Sequence, residues 1–154
     1  MNAKESVSRE QEALKARRSQ LAERLKPLGI VRVEVEYDGC GDSGDIQEVR
    51  ALKKGPRSGK EQPANLDGQS LTVERFESVY DAERREWDRK PCQATVTLKE
   101  ALSDFALDFL SFLGIDWYNN EGGYGTVVLS VADGQVKAEH NYRIESSEYE
   151  EHAL

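Results

Sequence analysis

The clearest pattern in the chain is in Ile30 to Tyr37, where Val31, Val33, Val35 and Tyr37 alternate with Arg32, Glu34 and Glu36. A period of two predicts a strand with one face in a core and the other in water. Leu98, Leu102, Phe105, Ala106, Phe109, Leu110 and Leu113 recur at helical spacing instead, so Leu98 to Leu113 is the expected core helix. Thr97 and Glu100 form a capping box before it, and Gly114 closes it. Phe112 falls off the stripe. A thinner stripe of Leu14, Leu21, Leu25 and Leu28 predicts an N-terminal amphipathic helix from Ser8 to Lys26. Ser8 and Gln11 are its expected capping box, and Pro27 and Gly29 its stop. The stripe suits packing on the domain's own sheet or pairing with a second chain as a homodimer.

Other segments are less periodic. Asp45 to Leu52 is expected to return as a second strand, with a bulge or a short helical turn. Gly125 to Ala132 and Gln135 to Arg143 flank Asp133-Gly134, a two-residue hairpin signal, with Val127, Leu129 and Val131 on one face. Lys53 to Gln69 is polar and rich in glycine and proline, so a long loop is expected there. Ser70 to Lys90 suits a helix or a strand that turns back, and Pro91 should interrupt either. The resulting fold class is α+β: an antiparallel sheet, the Leu98 to Leu113 helix on one face, and an N-terminal amphipathic helix. The organisation expected is a helix at 1–29, one domain at 30–144 with a polar insertion at about 53–91, and an acidic tail at 145–154.

Composition narrows the function classes. The chain has 154 residues, 38% hydrophobic and 32% charged, which fits one core. No stretch approaches the roughly 20 apolar residues that span a bilayer. The polar start of the chain lacks an apolar signal core, and a cytoplasmic location is expected. Cys40 and Cys92 belong to no paired motif, so neither a disulfide framework nor a thiolate zinc site is expected, and no cofactor is assigned. The net charge of −8 is concentrated late: from Leu98 onward there are three Lys/Arg and eleven Asp/Glu. That argues against direct nucleic-acid binding and permits docking on a basic partner.

Two segments carry candidate chemistry. Asp38-Gly39-Cys40-Gly41-Asp42-Ser43-Gly44-Asp45 contains the string that surrounds the nucleophilic serine of trypsin-like proteases. Nucleophilic serine chemistry also needs a histidine base and its carboxylate, and the only histidines are His140 and His152. Protease function is therefore excluded. Asp38, Asp42 and Asp45 could offer oxygens to a hard cation, but their spacing is not that of a calcium loop. The competing reading is a glycine-rich strand connection whose Asp and Ser side chains satisfy backbone amides. Cys40, flanked by aspartates, is not an activated nucleophile. The second segment, Trp117-Tyr118-Asn119-Asn120-Glu121-Gly122-Gly123-Tyr124-Gly125, suits a recognition surface or a tight helix-to-strand connection. The candidate binding residues are Asp38, Asp42, Ser43, Asp45, Trp117, Asn119, Asn120 and Tyr124. No catalytic or metal-ligating residue is assigned.

Tyr37 to Gly44, Trp117 to Gly125 and the Tyr149-to-His152 ending together resemble an uncharacterised family of small bacterial proteins associated with plasmids, integrative elements and phages. The resemblance covers about Val31 to Gly44 and Leu98 to His152, and leaves out the N-terminal helix and Lys53 to Pro91. It implies a bacterial or phage setting and one site shared by the two motifs, and it carries over no catalytic residue. The expected function is a non-enzymatic protein-binding or accessory role with another protein as partner. A metal-dependent hydrolase using the three aspartates, with or without His140, and an acidic mimic of nucleic acid are the alternatives.

Overall fold

The computed structural model describes residues 3–56 and 59–154. Met1, Asn2 and two positions of the expected insertion, Arg57 and Ser58, lie outside the described residues. In chain order the elements are α1 (Ala3–Leu25), a 3-10 turn (Lys26–Leu28), β1 (Ile30–Cys40), β2 (Ser43–Lys54), β3 (Glu61–Ala64), β4 (Ser70–Asp81), β5 (Glu86–Thr97), α2 (Leu98–Phe112), β6 (Gly123–Ser130) and β7 (Val136–Tyr142). Five strands form one antiparallel sheet in the order β3-β2-β1-β6-β7, and β4 and β5 form a separate two-stranded ribbon. The fold class is α+β. No helix among the described residues is long and apolar enough to cross a membrane.

The alternation in β1 puts Val33, Val35 and Tyr37 into the core, joined by Ala51, Val127 and Leu129 from neighbouring strands. Leu98, Leu102, Phe105, Ala106 and Leu110 of α2 meet them, and Leu14, Leu21 and Leu25 of α1 are buried in the same cluster. The leucine stripe of α1 is thus consumed by the chain's own core. Across the two helices Arg17 Nη1 donates to Asp108 Oδ2 at 2.5 Å. The sheet's other face carries charged side chains, with Arg32 beside Glu34 at 3.3 Å and Arg50 paired with Glu36. Each fully buried leucine or valine contributes about 1.5–3 kcal/mol, whereas exposed ion pairs contribute about 0–1 kcal/mol, so the apolar face fixes which way the sheet turns.

Several boundaries differ from the expectations, each for a physical reason. Helix α1 begins at Ala3, so Ser8 is an interior residue and not a cap. At α2 the cap is as expected: Thr97 Oγ1 accepts from Glu100 N at 3.0 Å. Leu113 follows the helix end and is 45% exposed, while Phe112 packs partly against the core. In β2 the register places Glu48 opposite Glu36 and Ile46 opposite Tyr37, leaving Gln47 as the extra residue of a bulge. The polar segment after β2 includes a short edge strand, β3, where Pro63 is tolerated because the edge needs no further donor.

Ser70 to Lys90 is strand and not helix, and Pro91 does not interrupt β5. It sits opposite Phe76 in a ribbon whose two strands each have an open edge. The β6–β7 connection is longer than two residues. β6 ends at Ser130, whose N–H donates to Gln135 O at 2.8 Å, and Gly134 takes φ 68°. Val131 leaves the ladder to bond Val31 O at 3.0 Å and to bury its side chain.

Candidate functional site

The segment from Asp38 to Asp45 is a tight hairpin, not an open loop. Pairing continues through Asp38 with Asp45, Gly39 with Gly44 and Cys40 with Ser43. Only Gly41 and Asp42 remain as the turn, at φ 58° and 68°. Two left-handed residues are what a two-residue turn between twisted strands requires, and glycine adopts that conformation without strain. The amides of this turn bond to the second motif. Gly41 N donates to Asn120 O at 3.0 Å, and Asp42 N donates to Tyr118 O at 2.7 Å. The second motif closes on itself through Gly122 N to Asn119 O and Gly123 N to Trp117 O, both 2.9 Å. Two segments remote in sequence therefore form one unit at one end of the sheet.

Apart from the turn residue Gly41, the glycines of both motifs are positions where a side chain would collide. A Cβ at Gly39 would lie 2.7 Å from Trp117 O and 2.8 Å from its Cε3. A Cβ at Gly44 would enter the Trp117 ring, one at Gly123 would lie 2.6 Å from His140 Cε1, and one at Gly125 would lie 2.7 Å from Tyr37 Oη. The bare backbone is the floor on which three rings lie. Tyr37 meets Trp117 edge-on at 5.3 Å and stacks on His140 at 5.7 Å with 8° between planes. Gly125 stands between Tyr37 and His140 in the register of the three strands, so the phenol reaches across it. Tyr37 Oη and His140 Nδ1 are 2.7 Å apart.

Burial pushes the Tyr37 hydroxyl up to about 12, with a smaller contribution from Tyr142, and burial lowers His140. At neutral pH the phenol keeps its proton and the imidazole is neutral, so one hydrogen bridges Tyr37 Oη and His140 Nδ1. Nε2 is buried and without a hydrogen-bond partner.

Arg143 locks the other face of this unit. Its Nη2 lies 2.9 Å from Asp38 Oδ1, its Nη1 donates to Gly39 O at 3.0 Å, and its guanidinium stands 4.9 Å from the Tyr124 ring centroid. Its backbone N–H donates to Gly122 O at 3.0 Å. Sequence reasoning missed this residue. The available signal was its rarity, one of three Lys/Arg from Leu98 onward.

Of the expected binding residues, Asp42, Ser43, Asp45, Asn119, Asn120 and Tyr124 are exposed, and Asp38 is half-buried against Arg143. Trp117 differs from these: it is 7% exposed and packs beneath the hairpin. Tyr118 and Tyr142, not singled out from sequence, are 42% and 63% exposed beside it. Ser43 Oγ donates to Cys40 O at 3.4 Å, and His140 is engaged by Tyr37, so the protease-like string has no base. Among the described residues no three His, Cys, Asp or Glu side chains are grouped as metal ligands. This end of the molecule offers exposed phenols, amides and carboxylates on a hydrogen-bonded base.

The model of a family described as a family of unknown function (DUF6878) matches residues 13–154. The chain belongs to the DUF6878 family. The match runs through most of α1 and through the 53–91 segment, both of which the motif resemblance left out. No curated protein and no solved structure matches the DUF6878 chain.

Two consequences can be measured on this DUF6878 protein. Gly44→Ala should destabilise it by about 1–3 kcal/mol in urea unfolding, because the new methyl group must displace the Trp117 ring. An unchanged midpoint would mean the ring does not lie on Gly44. The second concerns pH. His140 is lowered below its ordinary 6.5, so in that range the unfolded chain takes up a proton that the folded chain refuses. The stability of the neutral imidazole is therefore complete above about pH 6.5 and lost as pH falls below it. Between about pH 7.5 and about pH 5.5 the wild type should lose more stability than His140→Gln. Equal losses would contradict a half-buried, neutral His140.

Proposed function

We propose that this protein is a non-enzymatic protein-binding module whose contact surface is the sheet end built by its two glycine motifs. One observation carries the reading: the Gly41 and Asp42 amides bond to Asn120 O and Tyr118 O, which makes a single preorganised surface of both motifs. Preorganisation lowers the ordering cost of binding. The exposed side chains there are tyrosines, asparagines and carboxylates, the vocabulary of recognition surfaces. Asp42, Asp45 and Glu121 are exposed, and the nearby Arg143 is already engaged by Asp38. The complementary partner surface is basic. An accessory role within a bacterial mobile element or phage is supported by the motif resemblance alone.

A photo-crosslinking residue at position 118 or 124, introduced in the cells the protein comes from, should give one dominant protein adduct. The same residue at position 137, on the open face of the sheet, should not capture that protein. Asp42→Lys with Asp45→Lys should weaken capture at least tenfold, as should raised salt. Adducts that are the same at all three positions, or absent at 118 and 124, would overturn the proposal.

A further inference from the structure

The five-stranded sheet ends differently on its two sides. One edge is β3, four residues long and carrying Pro63, which offers little to a further strand. The other edge is β7, with seven residues and no proline. Among the described residues β6 is the one strand paired with β7. The register shows which backbone groups of β7 are spare. Ser130 N donates to Gln135 O at 2.8 Å before the strand, and Arg143 N donates to Gly122 O at 3.0 Å after it. Both are directly opposed pairs in the register that joins Leu129 to Val136 and Gly123 to Tyr142. Hydrogen-bonded pairs alternate along an antiparallel ladder, so the odd-numbered residues of β7 bond to β6. The N–H and C=O groups of Val136, Ala138, His140 and Tyr142 point out of the sheet edge, a template for another strand.

The apolar layer is also unfinished here. Val136 and Ala138 lie opposite the buried Leu129 and Val127, yet both are half-buried, as are Phe109 and Phe112 of α2. A cavity of about 150 Å³ opens beside Val136 and the two phenylalanines.

The side chains decide which strand fits. Lys137 and Glu139 stand together on the open face of the sheet, 3.0 Å apart. A second β7 can pair antiparallel about a two-fold axis if even-numbered residues meet even-numbered ones, because only their groups are spare. With the axis at Ala138, Ala138 meets itself and Val136 meets His140, and each opposed pair exchanges two hydrogen bonds. Lys137 of each copy then faces Glu139 of the other in a non-hydrogen-bonded pair, with Cα atoms about 4.5 Å apart. With the axis at Lys137, lysine would face lysine. With the axis at Glu139, glutamate would face glutamate, and at His140, Lys137 would face Arg143. Directly opposed like charges disfavour all three.

We propose that the protein forms a two-fold dimer by pairing β7 with β7 of a second copy, antiparallel about Ala138, so that the two sheets run on as one. Val136 and Ala138 of both copies then lie side by side on the helix face. One strand pair is small beside the roughly 800 Å² per partner of a standard interface, and each copy carries −8, so the dimer depends on concentration. Position 137, which should not capture the foreign protein, should crosslink to a second copy.

Sedimentation velocity of the full chain over a dilution series tests this. The wild type should pass from monomer to dimer as concentration rises. Lys137→Glu and Glu139→Lys should each raise the dissociation constant about tenfold, because each sets like charges opposite one another twice. Mixed together, the two variants should form a heterodimer, since every glutamate of one chain then meets a lysine of the other. Ala138→Pro removes an N–H that faces outward, so it should abolish the dimer while the monomer stays folded. A monomer at every concentration would overturn the proposal. So would a dimer that both charge variants leave unchanged, or a mixture no more dimeric than its components.

Discussion

The close approach of Trp117 to the β1–β2 hairpin is the contact on which the end of the sheet depends. It requires bare backbone at Gly39 and Gly44, where any Cβ would meet the indole or its carbonyl. Burying a large aromatic side chain removes about 150–250 Å² from water, an upper figure of roughly 4–6 kcal/mol. Each backbone hydrogen bond made alongside contributes only about 0.5–1.5 kcal/mol. The ring therefore holds the loop down, and the bonds from Gly41 and Asp42 set its register. Tyr37, His140 and Arg143 extend the same arrangement across β6 to β7, again over glycine.

What could be read from the chain divides along physical lines. The β1 strand and the α2 helix were legible because one face of each is in the core, so their periodicity is written locally. Thr97 was legible because a cap acts within three residues of itself. The ribbon was not, because most of its side chains on both faces are in water and no apolar period marks it. Pro91 misled for the same reason, since a strand with an open edge can lack a donor.

The glycines of both motifs were visible as glycines, but their use is defined by rings far away in sequence. Asp38 looked available for chemistry until Arg143 was placed against it. Trp117 looked like a contact residue because aromatics with asparagines and glycines serve recognition and connection alike. Only the three-dimensional arrangement separates the buried indole from the exposed phenols beside it.

The molecule carries two surfaces of different electrostatic character. The glycine-motif end is acidic, with Asp42, Asp45 and Glu121 exposed. The ribbon tip carries equal numbers of both charges and an exposed Tyr80–Trp87 pair. The leucine seam of α1, which could have served pairing, is used up in the core.

Amide hydrogen exchange at Gly41 and Asp42, read by NMR, tests most directly whether the two motifs form one rigid unit. The bonds to Asn120 O and Tyr118 O should break only with the surrounding structure, so both amides should be protected as strongly as Val35 in the middle of β1. Exchange at the rate of an unstructured peptide, while Val35 stays protected, would contradict a single preorganised surface.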